Sequence, residues 1–210
     1  NTAPLHYKAW KELADREDLA FDPEINKKLL GLSREASLDV ILGENRIEWT
    51  KEKKARACFE KNERYKELIS SLGKGDILPG IEKLLKEAQS EGIKCALASS
   101  SKNALSVIRA LNLDKYFECS VNNPLDFSSG IKAKPEPDIF LAAAEATGVW
   151  YSDCLGIEDA RSGVSAIKAS GIKACGLKSS GDDVGDADIV FDSTEDLSLE
   201  KLKKVFCGGK

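Results

Sequence analysis

The sequence predicts an α/β protein in two parts: helices over residues 1–72, then a doubly wound parallel sheet with covering helices over residues 73–210. Three observations predict it. The first seventy residues carry helical periodicity and no β-like run. The segments after Gly73 alternate helical patterns of about ten residues with short, continuous apolar runs, and the SLGKGD junction between the two regimes is rich in turn formers. Runs that are apolar throughout, rather than at every second position, suit strands covered on both faces.

Leu5, Ala9, Trp10, Leu13 and Ala14 recur at the 3.6-residue period and predict a helix over residues 4–19. Ser33, followed by Glu35 and Ala36, opens a second helix that runs through Leu42. A third spans about 48–69 with an apolar stripe of Ala55, Cys58, Phe59, Tyr65 and Ile69, and Asn62 falls on that stripe where a hydrophobe is expected. In the second part, helices are expected over residues 79–91, 102–111, 137–147, 161–170 and 197–206. The strands between them are IKCALAS, ECSV, CLGIE, KACGL and DIVF.

At roughly 150 residues per domain, 210 residues allow one domain with a large insertion or two small ones. The net charge of −4 comes with no basic block, which argues against nucleic acid as a partner. No apolar stretch approaches the roughly 18 residues of a membrane span, so no membrane partner is expected. The six cysteines show no C-x-x-C spacing, and several sit in apolar runs, as reduced thiols of a cytosolic protein would. The N-terminus lacks the pattern of a signal peptide and carries no Met, which hints at a missing beginning.

Parallel sheets of this kind bind ligands beyond the carboxyl ends of their strands. There ALASSSKN delivers Ser99, Ser100 and Ser101 ahead of a helix, so that hydroxyls and free amides could cradle an anion; a simple helix cap is the alternative. Lys134, fixed by Pro135, could present a point charge to a phosphoryl group, or be a solvated loop lysine. Glu158 and Asp159 end a strand as adjacent acids, which calls for a hard cation such as magnesium unless Asp159 merely caps the next helix. The GDDVGDAD run reads as a solvated acidic loop.

ALASSSKN, KAKPEPDIF and GIEDARSGVSAIKASG, with LPGI near residue 80, together resemble the haloacid dehalogenase superfamily of phosphotransferases. GLSREASL and EKNERYKELI resemble the helical cap of its β-phosphoglucomutase-like members. The resemblance implies an α/β core over 73–210 with a cap over 1–72, and a Mg²⁺-dependent phosphomutase working through an aspartyl phosphate. A phosphatase of a sugar phosphate, or a non-catalytic sugar-phosphate binder, are the alternatives. It further implies that Ser99 hydrogen-bonds the transferring phosphoryl group, Lys134 neutralises it, and Glu158 and Asp159 bind Mg²⁺. Ser100, Ser101, Lys102 and Asn103 would line the substrate side of their loop. In the cap, Gly31, Leu32, Ser33, Arg34 and Ser37 would meet the sugar phosphate, with Arg34 gripping the phosphate that does not react. Lys61 and Asn62 would face the same cleft, and His6 and Trp10 would lie at the junction of core and cap. A monomer acting on a small sugar phosphate is expected.

The superfamily's nucleophile is an aspartate in a D-x-D-G sequence at the end of the first core strand, and no such motif occurs here. That strand is central in the fold, so a sheet without it should open into two halves. About five buried apolar side chains would go with it, at about 1.5–3 kcal/mol each. The expectation is that the natural protein carries this strand ahead of Asn1.

Overall fold

A computed structural model describes residues 2–29, 32–121, 132, 134–178 and 183–207. They form two compact units, Asn1–Leu72 and Gly73–Lys210. Among the described residues no helix is long and apolar enough to cross a membrane.

The first unit is helical: α1 (Ala3–Arg16), the short α2 (Pro23–Lys27), α3 (Arg34–Glu44) and α4 (Lys51–Ser70). Local chemistry sets their starts. Asp22, Ser33 and Thr50 each accept a backbone N–H three residues on, from Ile25 (2.8 Å), Ala36 (3.1 Å) and Lys53 (3.3 Å). Trp10, Leu13 and Ala14 of α1 pack with Leu38, Ile41 and Leu42 of α3 and with Ala57 and Cys58 of α4. The stripe expected on α4 is rotated from the one observed: Phe59 is 64% exposed and Ala55 is exposed, whereas Ala57, Cys58, Lys61, Tyr65, Leu68 and Ile69 are buried. Positions 58, 61, 65 and 68 keep the helical spacing, so a lysine occupies a core position and disguises the true face.

The second unit follows as α5 (Ile81–Ser90), β1 (Ala96–Ala98), α6 (Ala104–Ala110), β2 (Cys119–Val121), α7 (Asp138–Thr147), β3 (Leu155–Glu158), α8 (Arg161–Ala169), β4 (Lys173–Leu177), β5 (Ile189–Phe191) and α9 (Leu199–Cys207). All strand pairs are parallel, β1 with β2 and, separately, β3 with β4 and β4 with β5. Among the described residues the sheet thus stands in two pieces, with β1 and β3 each paired on one edge only. Its exposure fits: β4 is buried from Ala174 to Leu177, whereas Ile157 on β3 is 41% exposed. Ile139 and Phe140 of α7 and Val164 and Ile167 of α8 form one apolar cluster, and Leu84 of α5 joins Leu199 and Leu202 of α9 over Cys175 and Leu177 of β4 in another. Cys58, Cys95, Cys154 and Cys175 are free thiols, and burial pushes the Cys175 thiol up to about 12.

The acidic run is less solvated than its composition suggests. Gly181 and Asp182 lie outside the described residues. Val184 is buried in the α7–α8 cluster, and Asp188 accepts the Ala174 N–H at 2.7 Å and pairs with Lys168. One glycine is set by geometry: Gly80 precedes α5 at φ +82°, and a Cβ there would stand 2.4 Å from the Thr194 carbonyl oxygen. Gly80→Ala should therefore cost about 1–3 kcal/mol from backbone strain alone. Chemical denaturation measures it, and an unchanged midpoint would contradict this packing.

Candidate active site

In the second unit the site is built where strands end. Glu158 is the last residue of β3, and its Oε2 accepts the N–H groups of Asp159 (2.9 Å) and Ala160 (3.2 Å). Its other oxygen pairs with Lys134 Nζ, which also lies 5.0 Å from the centre of the Phe140 ring. Both side chains of the pair are largely buried, where removing one partner would leave an uncompensated charge. Asp159 does not cap α8, whose N-cap is Ala160 without a side-chain bond; Glu158 takes the backbone N–H groups instead. Burial, and then the charge of Glu158, push the Asp159 carboxyl above its ordinary range. Gly163 makes this arrangement possible, since a Cβ there would fall 2.2 Å from the Glu158 carboxyl carbon.

Lys134 stands in the turn before α7, well past the end of β2, so it reaches Glu158 from a loop rather than from a strand end. Ser99 follows β1 directly. Its hydroxyl accepts the Ser101 N–H at 3.2 Å, and the Ser101 hydroxyl accepts the Asn103 N–H at 3.2 Å. Two amides expected to be open to an anion are therefore bonded within the loop, and α6 begins at Ala104 rather than near Lys102. Ser100 and Lys102 are exposed, and Asn103 is buried.

In the first unit three helices build a second cluster. His6 and Trp10 are one turn apart on α1, and Lys61 and Tyr65 one turn apart on α4, so each pair shares a face. The His6 ring stacks on Tyr65 with centroids 3.9 Å apart. Lys61, only 5% exposed, places Nζ 2.9 Å from His6 Nδ1, 4.8 Å from the Trp10 ring centre and 5.1 Å from that of Tyr65. A charged Lys61 can only donate, so His6 then carries its proton on Nε2. Arg34, the first residue of α3, donates from Nη2 to Asn62 Oδ1 at 2.7 Å.

No described carboxylate pairs with Lys61 or Arg34. Burial and then the charge of Arg34 lower Lys61 from the ordinary 10.5 to about 7. Burial, then Lys61 and Arg34, lower His6 to about 3. A guanidinium, a lysine lowered toward neutrality and a silenced imidazole thus share a partly dry cluster with no counter-ion among the described residues. Ser37 is buried and its hydroxyl donates to the Ser33 carbonyl at 2.8 Å, Leu32 is exposed, and Gly31 lies outside the described residues. Sequence reasoning missed Tyr65 as a wall of this cluster, although its place one turn from Lys61 was a usable signal. It also missed Phe140 and Gly163 around the acidic pair, for which only contact geometry speaks.

An α/β core with a lysine–acid pair and a serine at strand ends, joined to a helical unit bearing a cationic cluster, is the equipment of a phosphoryl-transfer enzyme. The chain belongs to the haloacid dehalogenase-like hydrolase family, whose model matches residues 1–171. It is 43% identical over 204 residues to the β-phosphoglucomutase of Bacillus subtilis (strain 168), covering 96% of this chain and 88% of that protein. A phosphorylated carbohydrates phosphatase of Thermotoga maritima is 30% identical over 82% of this chain and 76% of its own length. The crystal structure of a β-phosphoglucomutase from Clostridium difficile aligns with a TM-score of 0.86 at 36% identity, covering 98% of this chain and 91% of that one. The protein is an enzyme of the phosphomutase and phosphatase type.

The lowered Lys61 fixes a pH dependence. Between about 7 and 10.5 the folded lysine is neutral while the unfolded one remains protonated, so unfolding takes up a proton and stability rises with pH across that window. Melting temperatures of the wild type relative to Lys61→Met should shift in favour of the wild type from pH 7 to 10. A difference independent of pH would contradict the burial of this ammonium.

Proposed function

We propose that the protein is a Mg²⁺-dependent phosphomutase that interconverts β-glucose 1-phosphate and glucose 6-phosphate. The observation that carries this reading is the cluster of Arg34, Lys61 and His6, with no ion-paired carboxylate among the described residues. A mutase must keep a bisphosphate bound while either phosphate reacts, so it needs a grip for the phosphate that does not. Arg34 suits that grip because its planar fork can bond phosphate oxygens bidentately.

The second unit would supply the transfer chemistry. Lys134 would place its ammonium against the phosphoryl oxygens, and the Ser99 hydroxyl would donate to one of them. Glu158 orients Lys134 through their ion pair. The described acids occur as a pair, with no group of three His, Cys, Asp or Glu side chains suited to a metal among the described residues. Magnesium commonly takes only one or two carboxylates, with water and phosphate completing its shell. The pair fits such an ion, because Asp159 is pressed by burial and by the neighbouring charge. Asp159, with Glu158 beside it, would hold such an ion, and the chemistry supplied would be neutralisation of the phosphoryl charge.

The test compares phosphate release with a coupled glucose 6-phosphate assay on the full-length natural protein. Isomerisation should outrun phosphate release, and Lys134→Ala should lower turnover by about 10²–10³, as for other preorganised charge stabilisers. Rapid phosphate release without isomerisation would make the protein a phosphatase, and binding without turnover would make it a sugar-phosphate binder.

A further inference from the structure

We infer that Asn62 is a positioning residue that aims the Arg34 guanidinium and acts on a bound phosphate only through that arginine; this rests on the reading of Arg34 as a phosphate grip. The two side chains meet across helices, from the first residue of α3 to the middle of α4, 28 positions apart. A guanidinium presents five N–H donors in one plane, so fixing one of them against Asn62 Oδ1 at 2.7 Å fixes the plane and direction of the others.

The choice of holder carries the argument. Three other arginines of this unit are held by acids: Arg64 by Glu12 and Glu67, Arg16 by Glu60, and Arg56 by Glu60. Those partners cancel the charge they restrain. An amide restrains without cancelling, and Arg34 forms no ion pair with a described carboxylate; Glu63, which accepts from Asn62 Nδ2 at 3.4 Å, feels its charge only at longer range, so most of that charge remains for an anion. Asn62 also directly follows Lys61 on α4, so one stretch of helix fixes both the lysine and the residue that steers the arginine. This explains an amide at a half-buried position of α4 by its work on Arg34.

The experiment measures glucose 6-phosphate affinity by calorimetry for the wild type, Asn62→Ala, Asn62→Asp, Arg34→Ala and the Arg34→Ala/Asn62→Ala double variant. Asn62→Ala should weaken binding about 3- to 10-fold, the size of one ordinary hydrogen bond. Asn62→Asp keeps an acceptor but adds a neutralising charge, and should weaken binding at least as much. In the Arg34→Ala background the loss of Asn62 should change affinity by less than about 2-fold, because residues that act through one another are non-additive. Penalties that multiply in the double variant, or wild-type binding by Asn62→Asp, would overturn the inference. A readout without ligand separates it from the functional reading: NMR of the Arg34 side-chain nitrogens should show hindered guanidinium rotation in the wild type and free rotation in Asn62→Ala. Equal rotation in both would overturn it. Wild-type affinity in Arg34→Ala, with rotation still dependent on Asn62, would refute the phosphate grip and leave the positioning intact.

Discussion

A buried lysine with no acid partner among the described residues is the constraint around which the helical unit is arranged. Lys61 occupies a core position of α4, and burying an ammonium there costs free energy that no described carboxylate offsets. What the fold provides instead is weaker and adjustable: one imidazole nitrogen and two aromatic faces. These soften the cost without ending the demand for an anion, and Arg34 sharpens it. Stability is given up in the free protein at a place where a ligand's charge can return it, as expected of groups kept for function.

The second unit handles charge in the opposite way. Its acids are adjacent and partly buried, and the fold meets them with the Lys134 ammonium, two backbone N–H groups and a glycine that makes room. Glu158 is spoken for on both oxygens, which leaves Asp159 as the strained member of the pair. The Lys61–Arg34 cluster has no described carboxylate, whereas the β3 end sets two acids side by side.

Much of the architecture was legible from local pattern. The ten-residue helices and short apolar strands fell close to their observed places because periodicity and turn chemistry are local properties. The face of α4 was legible only in part: Cys58, Tyr65 and Ile69 are buried as expected, but Lys61 reads as a surface residue and Phe59, which is exposed, reads as core. The serine loop shows the same limit: the sequence singles out its residues, but the bonds of Ser99 and Ser101 to nearby amides depend on backbone geometry that composition does not encode. The anchoring of Asp188 and Val184 likewise comes from contacts with α8 and β4, distant in sequence. The division of the sheet among the described residues was expected from the absence of a D-x-D-G motif in the sequence rather than from any feature of the strands present.

The central claim is that the cationic cluster of the helical unit awaits a phosphate. Calorimetry of glucose 6-phosphate binding at pH 7.5, repeated in buffers of different ionisation enthalpy, tests it most directly. An arriving anion would restore the ammonium of Lys61, so binding should take up a proton in the wild type and take up none in Lys61→Met. Uptake that is absent in both, or identical in both, would contradict the account.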